Sequence, residues 1–374
     1  MQIAPFPLIE MSGPPRERGQ QYGGQAADRI GRSVDYYVAQ LEAAGVAWPR
    51  AKALAADYVP LIRDFSPDYI EEMRGIADGA GVDLEGIVIV NARTEMMYGA
   101  TRKPVADADD GCTGAIVMPD AARDGRLLHG QNWDWREECV HTGVVLRIRR
   151  DEGPDVLTFT EAGGLARSGL NAAGIAVTGN FLACDRDYRQ RGVPLPLIRR
   201  RLLEASHFAL SIHTLAAVPR SCASNMMLSD AAGEAINFEC APDELFCLYP
   251  EDGLITHANH FVHPAAQVKL RDTYHATSPD SLYRDLRVRK LLMKKHGALT
   301  LDDLREALFD DYGTPYSVCR PPRAMAGGPV TVTAAMIVMD AADGILQAVP
   351  APYANRTVTE YRLSDTMSGL RKTG

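Results

Sequence analysis

The chain predicts an α+β fold, and three features of its patterning carry that expectation. Residues 15–100 keep apolar positions at helical spacing; a change to short β-prone runs follows at Cys112; helices and strands then recur in separate blocks. The helical stretch opens with Tyr36, Tyr37, Leu41 and Ala44 on one face. Ser66-Pro67-Asp68 is a helix start with proline in the first turn, and Tyr69, Met73 and Ile76 continue it. Residues 101–111 are polar and turn-prone, a linker by composition.

Strands are expected over 113–118, 126–130, 144–148, 156–160 and 175–178, each an apolar or alternating run between turns. Helical patterning returns over 195–205 and 210–217, and strands over 226–228, 235–239 and 245–249. Residues 281–296 are helical with Leu282, Leu286 and Lys290 at regular positions; a helix over 301–309 follows, and strands over 335–339 and 345–349 close the pattern. The chain shows no internal repeat.

With 374 residues, 46% hydrophobic and 24% charged, the chain suits a globular protein of one large or two average domains. The formal net charge of -8 is spread along the chain, which argues against nucleic acid or an anionic membrane as partner. Arg199-Arg200-Arg201 is a local basic cluster, expected as a solvated helix face or a contact for an anionic substrate. Seven cysteines without a CxxC pair fit a reducing compartment, and the absence of a signal-like amino terminus points the same way. Cytoplasmic localisation is expected, with no membrane span.

The chemistry concentrates at Asp109-Asp110-Gly111-Cys112-Thr113-Gly114, an acidic turn running into a β-prone segment. If the Gly111–Cys112 bond is cut, Cys112 carries both a thiol and an α-amino group, so one residue supplies nucleophile and base. A free thiol titrates near about 8.5 and an α-amine at roughly 7.7–8.0, so the amine is a competent proton acceptor at neutral pH. Before cleavage the same thiol attacks the Gly111 carbonyl, where glycine offers no side-chain obstruction and tolerates strained angles.

Three further motifs follow in order: Gly130-Gln131-Asn132-Trp133-Asp134-Trp135, Thr256-His257-Ala258-Asn259-His260-Phe261 and Ser317-Val318-Cys319-Arg320. Together with the cysteine motif they resemble the acyl-coenzyme A:6-aminopenicillanic acid acyltransferase family of N-terminal-nucleophile (Ntn) hydrolases. The resemblance runs from Asn91-Ala92-Arg93-Thr94-Glu95 to about Tyr361. It implies a four-layer αββα sandwich of the Ntn-hydrolase type with the nucleophile opening a central strand. It also implies division at Gly111–Cys112 into a helical N-terminal segment, 1–111, and a catalytic part, 112–374, that remain one composite domain. The fungal enzyme that names the family is peroxisomal; Arg371-Lys372-Thr373-Gly374 carries no such signal.

The resemblance implies the remaining roles. Asn259 is expected as an oxyanion donor, since a carboxamide N–H stabilises developing charge without titrating. Asp134 orients or steadies the new amino terminus, Arg320 binds a substrate carboxylate, and Trp133 and Trp135 wall an acyl pocket. Asn132 is a further candidate donor, and Arg93 and Glu95 are expected to pair. The function expected is a self-processing amidohydrolase or acyltransferase working through an acyl-thioester on Cys112. Its partners would be a small N-acyl amide or acyl thioester and its own N-terminal fragment, with pairing of two chains left open and no cofactor or metal. Two alternatives stand beside it: a metal-dependent hydrolase built on His257, His260 and His263, and a non-catalytic binding protein.

Overall fold

The computed structural model describes residues 3–99, 111–275, 277–324 and 329–364, so the linker expected over 101–111 lies, apart from Gly111, outside the described residues. The chain opens with β1 (Leu8–Met11) and the helices α1 (Pro15–Gln25), α2 (Ala27–Ala43), α3 (Trp48–Phe65), α4 (Pro67–Ala80) and α5 (Leu84–Asn91). Then come β2 (Cys112–Val117), β3 (Leu128–Arg136), the single turn α6 (Cys139–Thr142), β4 (Gly143–Ile148), β5 (Val156–Glu161), β6 (Ser168–Asn171) and β7 (Ile175–Thr178). Next are α7 (Leu195–Leu203), α8 (Phe208–Ala217), β8 (Ser224–Asp230), β9 (Glu234–Cys240), β10 (Leu245–Leu248) and β11 (Leu254–His257). The last part holds α9 (Pro264–Lys269), α10 (Ser281–Met293), α11 (Leu301–Leu308), β12 (Arg323–Ala324), β13 (Val330–Asp340), β14 (Ile345–Pro350) and β15 (Thr359–Arg362).

The strands form two sheets, ordered β1-β4-β5-β6-β7-β8-β9-β10 and β11-β2-β3-β13-β14-β15, with β12 on β13. Neighbours are antiparallel except β1, which runs parallel to β4. The sheets stack face to face: β3 lies over β7 and β13 over β6. Helix α7, with α5 against it, covers the outer face of the first sheet, and α10 and α11 cover the second. The result is the four-layer αββα sandwich. One apolar core fills the space between the sheets and continues into the helices of residues 15–91, joining Trp133, Val332 and Phe159 to Phe6, Tyr37 and Ile87. A second lies beneath α10 and α11, where Val288, Leu292, Leu304 and Leu308 meet Ala115, Val117 and Met336.

Period-2 alternation explains how β3 can be fully buried and yet polar. Its odd-numbered side chains face the other sheet: His129 bonds Ser229 and Thr178 at 2.9 and 2.8 Å, and Gln131 bonds Gly179 O and Ser168. Its even-numbered side chains face the helices, and Asn132 gives both N–H groups to the carbonyls of Leu308 and Val318. Asn132 is therefore a brace rather than a free donor.

Three sequence expectations are corrected here. Arg199 and Arg200 are not a solvated face: both are buried, and Arg200 pairs with Glu72 at 3.0 Å and Glu204 at 2.8 Å. Arg18 reaches the same Glu72 at 3.0 Å, so one carboxylate ties α1, α4 and α7 together. Arg93 pairs with Glu161 at 2.7 Å, while Glu95 accepts the Leu195 N–H. In α10, Leu282 and Leu286 are 51% and 61% exposed, and the buried face carries Arg284, Asp285, Val288 and Leu292.

Helices α1 and α4 cross at backbone contact through Gly19, Gly23, Gly75 and Gly79. A Cβ on Gly75 would fall 2.1 Å from Arg16 O, and one on Gly19 2.1 Å from Glu72 O. Gly75→Ala is expected to cost about 3 kcal/mol, because backbone on both sides must move. Gly24→Ala, on the same α1 but with nothing near its Cβ, should be neutral or stabilising. Urea unfolding midpoints of the two variants provide the comparison.

Candidate active site

Cys112 is the first residue of β2 and faces the space between the sheets, directly across from Trp133 on β3. Its backbone nitrogen donates to Asn259 Oδ1 at 2.7 Å, and its carbonyl accepts from Arg284 Nη1 at 2.7 Å. Arg167 Nη2 lies 3.7 Å from the sulfur, with its guanidinium 4.2 Å over the Trp133 ring. Immediately upstream, the Gly111 carbonyl accepts the Asp134 N–H at 2.8 Å. The carbonyl that the thiol would attack is thus already held by a backbone donor.

Below the Gly111–Cys112 link runs a buried ionic chain. Asp134 Oδ1 accepts from Thr333 Oγ1 at 2.6 Å, and Oδ2 pairs with Arg320 Nε at 3.1 Å. Arg320 Nη2 continues to Asp280, which also takes Arg284 Nε at 2.9 Å. Burial alone would raise the Asp280 pKa, and the guanidiniums of Arg320 and Arg284 reverse this and hold it below the ordinary carboxylate value. Burial would lower Arg320, but Asp134 and Asp280 more than offset it. Both groups stay charged and fixed.

Gly111 is required here for space. A Cβ at this position would come within 2.5 Å of Arg320 Cζ and 2.7 Å of Asp134 Oδ2. Gly111→Ala is therefore expected to displace the Arg320–Asp134 pair and, if the chain cuts itself at Gly111–Cys112, to slow that cleavage at least ~10²-fold, the cost of a small misplacement of reacting groups. Intact mass against time after expression measures it; processing at the wild-type rate refutes the steric argument.

Asn259 sits in the turn after β11 and is fully buried. Its Oδ1 receives Cys112 N and Arg284 Nη2 (2.8 Å), and its Nδ2 donates to Phe181 O at 2.9 Å. The turn is pinned by Glu239, which meets His257 Nε2 at 2.9 Å and accepts the N–H groups of Val262 and His263. The three histidines do not converge. His260 contacts Ser281, and His263 Nδ1 caps Ala265 at the start of α9. Among the described residues, no group of three or more His, Cys, Asp or Glu side chains is placed to hold a metal ion, so the histidine-metal alternative falls.

Gly111, Cys112, Trp133, Asp134, Asn259 and Arg320 thus converge on one site. Trp135 stands apart: its indole N–H goes to Tyr37 Oη at 2.9 Å, and Arg93 and Arg136 lie over its ring at 5.0 and 4.9 Å. Arg320 has its guanidinium spent on two carboxylates of the protein. Sequence reasoning missed Arg167, Asp280 and Arg284. For Arg167 the signal lay one step away, in the stretch beginning at Asn91. The Asn91 carboxamide bonds Gly163 O and Leu165 N, at 2.8 and 2.9 Å, and so shapes the loop that delivers Arg167.

All seven cysteines are free thiols, and no helix among the described residues is long and apolar enough to cross a membrane. The sequence profile described as acyl-coenzyme A:6-aminopenicillanic acid acyl-transferase matches residues 121–348. The acyl-coenzyme A:6-aminopenicillanic-acid-acyltransferase 40 kDa form of Emericella nidulans is 30% identical over 324 residues, covering 83% of this chain and 84% of that protein. Among solved structures, a variant of the conjugated bile acid hydrolase from Clostridium perfringens is similar with a TM-score of 0.48 at 14% identity, over 67% of this chain and 92% of that one. Penicillin V acylase from Agrobacterium tumefaciens gives a TM-score of 0.46 at 12% identity, over 67% and 86% of the two chains.

Proposed function

Because this chain belongs to the acyl-coenzyme A:6-aminopenicillanic acid acyl-transferase family, enzymes of the Ntn class, we propose that it cuts itself at Gly111–Cys112 and then cleaves or forms a linear amide through an acyl-thioester on Cys112. The observation that carries this reading is the setting of that one peptide link. Its thiol lies beside a guanidinium, its carbonyl is held by the Asp134 N–H, and its nitrogen is aimed at the Asn259 oxygen.

In processing, Cys112 Sγ adds to the Gly111 carbonyl carbon and gives its proton to the departing nitrogen. The C–N bond breaks, a thioester remains, and water opens it to a Gly111 carboxylate and a free thiol. The Asp134 N–H stabilises the oxyanion of this step and, once the Gly111 carboxylate departs, is available to a substrate carbonyl. In turnover the Cys112 α-amine, held by Asn259 Oδ1, takes the thiol proton and returns it to the leaving amine. The Asn259 carboxamide has two N–H bonds; one goes to Phe181 O, and the other is the donor proposed for the substrate oxyanion. Water or an amine then resolves the acyl-enzyme.

Arg167 favours the thiolate by its charge, and Trp133 forms the wall of the acyl site. Asp134 and Arg320 act as positioning residues beneath the link. The N-terminal segment stays as a partner after cleavage, since β1, Tyr22, Asn91 and Arg93 all hold the first sheet or the Arg167 loop. The free thiols fit the cytoplasm. Purified protein challenged with a panel of N-acyl amines and acyl thioesters should show, by mass spectrometry, an acyl adduct on a fragment beginning at Cys112. Adducts on other residues alone, or none with any member, would refute the proposal.

A further inference from the structure

Between the helical layer and the loop after β7 lies a cavity of about 330 Å³, lined by Arg50, Leu54, Tyr58, Glu95, Met96 and Tyr188, with Arg189 and Arg191 at its rim. None of the residues around Cys112 lines it. Its deepest polar group is Glu95, 2% exposed. Oε1 accepts the Leu195 N–H at 3.0 Å, whereas Oε2 is buried with no hydrogen-bond partner. Arg93 and Arg199 act on the carboxylate electrostatically, but Oε2 lacks a hydrogen bond, and an occupant that supplies a donor would satisfy it.

The rest of the lining defines that occupant. Tyr58 and Tyr188 flank the acid; Arg191 already lies 5.9 Å over the Tyr58 ring, which leaves the Tyr188 ring as the aromatic partner for a ligand cation beside the carboxylate. Tyr188 is held at φ 59°, a left-handed backbone that is strained for tyrosine, and its hydroxyl is buried beside the Cys222 thiol. Leu54 and Met96 supply a short apolar wall. Three arginines complete the rim. Arg191 is engaged with Asp57 at 3.1 Å and Arg189 with Asp185 at 3.9 Å, whereas Arg50 is exposed and makes no ion pair among the described residues.

The geometry points to a binding site for a small amino-acid-like zwitterion, its ammonium on Glu95 Oε2, its aliphatic body against Leu54 and Met96, and its carboxylate at Arg50. Burial pushes the Glu95 carboxyl up to about 7, so near neutral pH an arriving ammonium finds an acid able to ionise and pair with it. The volume suits such a ligand, falling at the small end of the range for small-molecule pockets. The site is independent of the reaction at Cys112.

The test uses the full-length Cys112→Ala protein, so that loss of catalysis and loss of this site are read separately. Isothermal titration with L-norleucine, hexylamine and hexanoate separates the zwitterion from its cationic and anionic halves. L-norleucine is expected to bind most tightly, and Glu95→Gln should weaken it at least tenfold. Arg50→Ala, an exposed change that leaves the fold intact, should weaken L-norleucine several-fold and leave hexylamine unchanged. No heat with L-norleucine, undiminished binding in Glu95→Gln, or hexanoate binding as tightly as L-norleucine overturns the assignment.

Discussion

Cys112→Ala is expected to give one unbroken chain with no acyl-transfer or amide-cleaving activity. In the proposed mechanism the variant removes the sulfur that opens the Gly111 carbonyl, so no free α-amine would form; nucleophile and base would disappear together. The fall in rate should be at least ~10⁴-fold, as when a unit of interdependent catalytic groups is broken. The protein should still fold, since the missing sulfur is a small part of the core between the sheets. Cys112→Ser separates the two roles: a hydroxyl in the same place should process slowly, because it is a far weaker nucleophile without a strong base. Denaturing mass spectrometry reads the outcome directly. Cleavage before residue 112 in the alanine variant would place the nucleophile elsewhere and end the proposal.

The fold was legible where the local pattern is apolar and regular. Val156–Glu161 and Ile175–Thr178 emerge almost as expected from their apolar runs, and so do α7, α8 and α11. It was not legible where a strand carries polar side chains into the interior. β3 extends to Arg136, well beyond the expected end at residue 130, because Gln131, Asn132 and Asp134 find partners on other elements that no local pattern announces. β1 was missed because four residues between prolines gain strand pairing only from β4, far along the chain.

The site divides along the same line. Cys112 and Gly111 were readable because their chemistry is local: a thiol and the peptide bond before it. Asn259 and Asp134 were reached through family resemblance, and the structure adds what each touches. Arg284 and Asp280 escaped because helical periodicity favoured the leucine face of α10, Leu282 and Leu286, which turns out to face solvent. A helix that buries its charged face does so for partners supplied by other segments, and here those partners are Cys112, Thr113 and Asn259.

Arg284→Met tests that conclusion and carries the second large effect. The Arg284 side chain is wholly buried and gives Nη1 to Cys112 O and to Thr113 Oγ1, both at 2.7 Å, Nη2 to Asn259 Oδ1 at 2.8 Å, and Nε to Asp280 at 2.9 Å. Methionine keeps much of the volume but leaves the Cys112 carbonyl and the Thr113 hydroxyl without their charged donor, and Asp280 with Arg320 as its remaining cation. Removing one partner of such a buried ionic group typically costs about 3–5 kcal/mol. The functional cost is separate: without Nη2 the Asn259 oxygen loses its charged donor, and the carboxamide is held only by Cys112 N and the Phe181 carbonyl. Processing should therefore slow at least ~10²-fold even at temperatures where the variant is folded, since the reacting groups are no longer held in register. Arg284→Lys restores the charge but not the forked reach to several acceptors, so it should recover stability more than cleavage. Unfolding midpoints measured beside precursor half-lives resolve the two effects, and a fully folded Arg284→Met protein that processes at the wild-type rate would show that this arginine only packs the helix.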